Sequence, residues 1–102
     1  MPRIRARSRL VTRLCAPLGL LLLAACAGIP VQEMSDARQA IQAAEEAGAA
    51  EHAPAALRNA KRLLTSAERK LQRQAYSSAR ADAREARQHA AEALRSSRRS
   101  EP

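Results

Sequence analysis

The side chains of this 102-residue chain that could carry chemistry are few: the thiols of Cys15 and Cys26, the imidazoles of His52 and His89, the adjoining carboxylates Glu45 and Glu46, and the hydroxyls Ser77 and Ser78. The two histidines stand far apart in sequence, and neither a metal-ligand cluster nor a glycine-rich phosphate loop is present. Glu45 and Glu46, as neighbours on a helix, point in different directions and form no shared acid-base pair. Glu51-His52 reads as a polar loop between helices. Ser77 and Ser78 have no histidine in suitable context to activate them and read as turn or cap residues. No catalytic residue, metal ligand or cofactor is therefore assigned, and the chain reads as a non-enzyme. Cys26 stands apart, because its neighbours form a pattern.

Arg3, Arg5, Arg7, Arg9 and Arg13 precede an apolar stretch from Leu14 to Ala25, followed by small residues, the order of an export signal. The stretch is interrupted by Pro17 and Gly19 and falls short of the roughly twenty apolar residues that span a bilayer. Leu23, Ala24, Ala25 and Cys26 resemble the bacterial lipobox. The resemblance implies cleavage between Ala25 and Cys26, S-diacylglycerol on Cys26, and N-acylation of the new amino group. Each buried methylene contributes about 0.8 kcal/mol, so two or three chains anchor a protein almost irreversibly. Ala27, rather than Asp, after that cysteine resembles the outer-membrane-sorted class. The expected location is the outer membrane, lipid-anchored and facing the periplasm. Cys15 precedes the apolar stretch and has no small residues leading to it. Once residues 1–25 leave, one cysteine remains and lipid blocks it, so no intramolecular disulfide is expected.

The same cleavage changes the electrostatics. The formal charge is +8, but the mature segment keeps 13 basic against 10 acidic residues, a balance of +3. With an envelope address and no set of aromatic side chains for stacking, nucleic acid is not an expected partner.

The elements that would position these residues are helical. Gly28 to Glu33 reads as a short tether, since Pro30 disfavours helix there. Ser35 offers a cap and Asp36 a first-turn negative charge, so a helix is expected from about Asp36 to about Ala50, with Gly48 marking its end. Its apolar stripe is Met34, Ala37, Ile41 and Ala44. Pro54 suits the first turn of a second helix, with stripe Leu57, Ala60, Leu64, Ala67 and Leu71. The next periodic position is Tyr76, and five residues at about 100° each swing the stripe by roughly 140°, which one straight helix cannot bury against one partner. A turn is expected between Gln72 and Ser77, capped by Ser77 or Ser78; with no Gly or Pro there, the alternative is one helix of about 44 residues, on the order of 66 Å long. The third stripe runs Tyr76, Ala79, Ala83, Ala86, Ala90, Ala93 or Leu94, and Ser97. Tyr76, the only aromatic residue, is expected to plug one end of the core.

The fold class that follows is all-α: a small alanine-rich antiparallel three-helix bundle, or a long helical hairpin that pairs with a second copy, after a cleaved signal peptide. The divisions are residues 1–25 signal peptide, 26–34 lipidated tether, 35–97 helical domain and 98–102 frayed tail. Arg80, Arg84, Arg87, Arg95 and Arg98 share one sector of the third helix, and Arg58, Arg62, Arg69 and Arg73 one side of the second. These arginine ribbons are the candidate sites for an anionic partner.

Ser35-Asp36-Ala37-Arg38-Gln39-Ala40-Ile41, then Ala44, Gly48, Ala49, Ala53-Pro54, Leu57, Ala60, Leu64, Ala67 and Tyr76, resemble the bacterial envelope family called domain of unknown function 4398. Similar segments occur as small lipoproteins or ahead of peptidoglycan-binding domains, for which this chain has no room. One departure is Gln74-Ala75, where the resemblance implies a turn-forming Gly. The expected role is a lipid-anchored helical interaction or scaffold module of the cell envelope that contacts an envelope protein. The alternative is a binding module for phospholipid, lipopolysaccharide or peptidoglycan-associated anions.

Overall fold

The computed structural model describes residues 28–101. Cys15, the Leu23 to Cys26 pattern and the remainder of the expected signal lie outside them. The described chain is helical throughout: α1 (Val31–Glu46), the single turn α2 (Ala49–His52), α3 (Pro54–Gln72) and α4 (Tyr76–Arg99).

The apolar stripes meet in layers that fix the topology. Met34, Ala67 and Ala83 form one cluster, Ala37, Leu63 and Ala86 the next, and Ile41, Ala44, Leu57, Ala60, Ala90 and Ala93, with Ala49, the third. Residue numbers rise along α1 and α4 and fall along α3, which is an up-down-up three-helix bundle. α4 packs along both other long helices, which touch each other less extensively. The alanine seam is thus occupied within one chain.

The division of labour among the helices explains how so small a core closes. Among the described residues, ten of the fourteen buried core hydrophobics are alanines, Pro30 aside, and α4 contributes only alanines to that set: Ala79, Ala83, Ala86, Ala90 and Ala93. The large side chains come alternately from α1 and α3, in the order Met34, Leu63, Ile41, Leu57 along the axis. α4 is a smooth rail into which knobs from two sides are set, and its missing side-chain bulk permits close approach. Ser97 continues the stripe and is fully buried, its hydroxyl donating to the Ala93 carbonyl oxygen at 2.8 Å.

Several boundaries differ from expectation. α1 begins at Val31, so the second half of the segment read as a tether, Val31 to Glu33, is helix. Pro30 serves as its N-cap residue, fully buried, with its carbonyl accepting from the Met34 N–H at 3.0 Å. The missing N–H of proline costs nothing there, because the first turn has no intrahelical acceptor for it. Ser35 therefore lies inside the helix, where its hydroxyl accepts from Gln39 Nε2. α1 stops at Glu46 and not near Ala50; Gly48, at φ 84°, breaks it and starts α2. In α3 Leu57 is buried as expected, but further along it is Leu63 that is buried, with Leu64 and Leu71 only half-buried. α3 sits against two helices at once, and the direction between them falls nearer Leu63, while Leu64 reaches all three clusters from the flank. Neither Ser77 nor Ser78 caps α4, which starts at Tyr76 after Ala75. Tyr76 is half-buried and belongs to none of the three clusters. At the other end α4 continues through Arg98 and Arg99, two residues into the segment expected to fray.

The turn between α3 and α4 is where expected. The Ala75 N–H bonds the Lys70 carbonyl at 2.9 Å and the Gln74 N–H the Leu71 carbonyl at 3.0 Å, the paired bonds of a Schellman termination. Gln74 occupies the left-handed position of that motif at φ 62°.

Candidate interaction surface

The two arginine ribbons have different fates. On α4 the first three arginines face α1. Arg80 Nε lies 3.2 Å from Glu33 Oε1, Arg84 Nη2 lies 3.7 Å from the same oxygen, and Arg87 Nη1 lies 3.9 Å from Asp36 Oδ2. Arg80 also donates from Nη2 to the Gly28 carbonyl at 3.4 Å. A shallow groove between α1 and α4 is lined by Gln32, Glu33, Asp36, Arg84 and Arg87, so it carries both signs of charge. The ribbon read from sequence as one basic face is, over this half, an ion-pair seam between parallel helices. Arg95 lies beyond those acids and is exposed.

On α3 the ribbon stays open. Arg58, Arg62, Arg69 and Arg73 are all exposed, and none forms an ion pair within 4.0 Å among the described residues. The remaining cations of α3 have partners. Lys61 Nζ lies 3.3 Å from Glu45 of α1 and Lys70 Nζ lies 2.7 Å from Asp82 of α4, while Glu68 meets Arg38 of α1 at 3.6 Å. α1, the most acidic long helix, is thereby joined to both basic helices, and the exposed arginines without an ion pair among the described residues are the four of the α3 ribbon and Arg95, Arg98 and Arg99 in the last turns of α4.

Asp82 shares a sector of α4 with Glu85 and Glu92, and its pairing with α3 is what the sequence did not show. Its Oδ2 accepts from Ser66 Oγ at 2.6 Å and meets Lys70 at 2.7 Å, with its side chain only 15% exposed. Burial pushes its pKa up, but the hydrogen bonds from Lys70 and Ser66, with the nearby charges of Lys70 and Arg62, outweigh that and hold it below the usual 3.8. The available signal was its place beside Ala83 on the rail, at the border of the seam.

The other polar residues are dispersed. Glu45 turns to Lys61, while Glu46 accepts from Gln42, so the adjoining carboxylates have separate partners. His52 is exposed, and His89 lies 3.8 Å from Glu85 one turn earlier on α4. Among the described residues no group of three or more His, Cys, Asp or Glu is gathered as a metal site, and no helix is long and apolar enough to cross a membrane.

No curated protein and no solved structure matches the chain. The family described as Domain of unknown function (DUF4398) matches residues 32–101, which spans α1 to the end of α4. The chain belongs to the DUF4398 family.

Proposed function

We propose that this chain is an outer-membrane lipoprotein, held by acyl chains on Cys26, that works by contact: a non-enzymatic helical scaffold presenting the outer side of α3 to an acidic envelope protein. The observation that carries this reading is the difference between the ribbons. The first three arginines of α4 are matched by acids of α1, whereas Arg58, Arg62, Arg69 and Arg73 extend along α3 with no ion pair within 4.0 Å among the described residues, Asp82 being near enough only to feel the charge of Arg62. A row of unmatched cations attracts an anionic surface, and tethering raises the local concentration of partners in the same compartment. The Leu23 to Cys26 pattern supports the address, with Cys26 five positions before the first helical residue.

The test is photocrosslinking in cells from Asn59, Arg62 and Arg69, with Glu92 as control, followed by mass spectrometry. A recurrent acidic protein partner captured from the α3 positions supports the scaffold. Capture of lipopolysaccharide or phospholipid in its place supports the alternative, a binding module for an anionic envelope ligand, which the same open ribbon favours. The anchor has its own test: Cys26→Ser should remain unprocessed or lose membrane attachment, and normal processing with tight membrane association would overturn it.

A further inference from the structure

The end of the bundle next to Cys26 differs from the other. Ile29 and Val31, 41% and 65% exposed, are the large apolar residues left in solvent among the described residues, and both lie at this end. So does the α3–α4 turn with exposed Arg73, because α1 begins here and α3 ends here. The acids nearby are matched: Glu33 by Arg80 and Arg84, Glu68 by Arg38, and Asp82 by Lys70. The opposite end intersperses its arginines with the exposed acids Glu46, Glu51, Glu92 and Glu101.

The segment leading here is fastened to the bundle. Pro30 is fully buried, and Arg80 grips the Gly28 carbonyl and the Glu33 carboxylate together. Only Ala27 stands between Cys26 and Gly28, and the two chain steps, even fully extended, span at most about 7 Å. An acylated Cys26 therefore leaves no length for a spacer between leaflet and bundle.

We propose that this end of the bundle rests directly on an anionic phospholipid leaflet, with Ile29 and Val31 set among the headgroups and Arg73 on lipid phosphate. Apolar side chains and a cation exposed at the same end are the composition of an interfacial contact, and the two contribute together. The proposal rests on the anchored reading above, and it makes the membrane a second binding surface of the module rather than a distant support.

The experiment uses the full chain expressed in bacteria, purified from membranes and reconstituted in vesicles of phosphatidylcholine with or without phosphatidylglycerol. An environment-sensitive fluorophore is placed by Ser77→Cys at the near end or Ala50→Cys at the far end, with brominated lipid as quencher. Quenching severalfold stronger at 77 than at 50 is expected. Ile29→Ser with Val31→Ser should reduce it, and Arg73→Glu should abolish the gain from phosphatidylglycerol. Equal quenching at both positions would overturn the proposal. The mass of the mature N-terminal peptide from the same sample separates the two readings. Lipid on Cys26 with equal quenching keeps the anchor and removes the docking. No lipid with strong quenching at 77 does the reverse.

Discussion

Lys70 of α3 and Asp82 of α4 meet at 2.7 Å, and the same carboxylate oxygen accepts a hydrogen bond from the hydroxyl of Ser66 one turn earlier on α3. One aspartate thus pins two antiparallel helices at a defined level of the bundle. Charge-assisted hydrogen bonds of this kind contribute about 1.5–3 kcal/mol when partly shielded from water.

Asp82→Asn should destabilise the bundle by about 1–2 kcal/mol near neutral pH. The pH dependence follows from the carboxyl being held below its usual 3.8 in the folded protein. The unfolded chain then binds the proton first as pH falls, so the contribution is fully present above about pH 5 and is lost as pH drops through the folded value. Urea titrations of both proteins between neutral and acid pH should show the difference closing below about pH 4. A constant difference across that range would contradict the assignment.

Leu63→Ala should cost about 2–5 kcal/mol, because it removes a buried knob and leaves a cavity against Ala37 and Ala86. Leu71→Ala, at a half-buried position, should cost clearly less. Thermal midpoints of the pair decide whether the seam of α3 runs through Leu63 or along the regular Leu64 to Leu71 spacing.

The rail predicts the opposite sensitivity on α4. Ala86→Leu adds bulk where Leu63 already fills the layer, and overpacking of this kind costs about 1–3 kcal/mol. A variant at least as stable as the parent, by chemical denaturation, would show that α4 is not closely approached there.

Gln74→Gly should stabilise the protein by about 1 kcal/mol, since Gln74 stands at φ 62°, where a side chain is strained and glycine is not. The gain in denaturation midpoint should be absent from Arg73→Gly, whose φ is −87°.

The stripes of α1 and α4 were legible from spacing alone. Met34, Ala37, Ile41 and Ala44, and Ala79, Ala83, Ala86, Ala90, Ala93 and Ser97, are all buried, because each of these helices turns one narrow stripe inward, while Tyr76, expected at the head of the α4 stripe, is only half-buried. Leu63 was not legible beside Leu64, since adjacent leucines satisfy the period equally and only the directions of two packed partners choose between them. The start of α1 was misread because Pro30 breaks a helix only in its interior. The pairs Glu33 with Arg80 and Asp82 with Lys70 depend on how far one helix is shifted along another, which no single-helix pattern contains. The open arginines of α3 were legible as a ribbon; that α1 would neutralise half of the α4 ribbon was not.

A rail made of alanines looks the same at every turn. If α4 slid by one turn, about 5.4 Å, each knob from α1 and α3 would meet another methyl group much like the one it left. Apolar packing can say which faces meet, yet it says little about which level meets which. That choice falls to Asp82 between Ser66 and Lys70 and to Glu33 beneath Arg80, so in this bundle the charged residues at the rim act as the ratchet pawl for an otherwise uniform track.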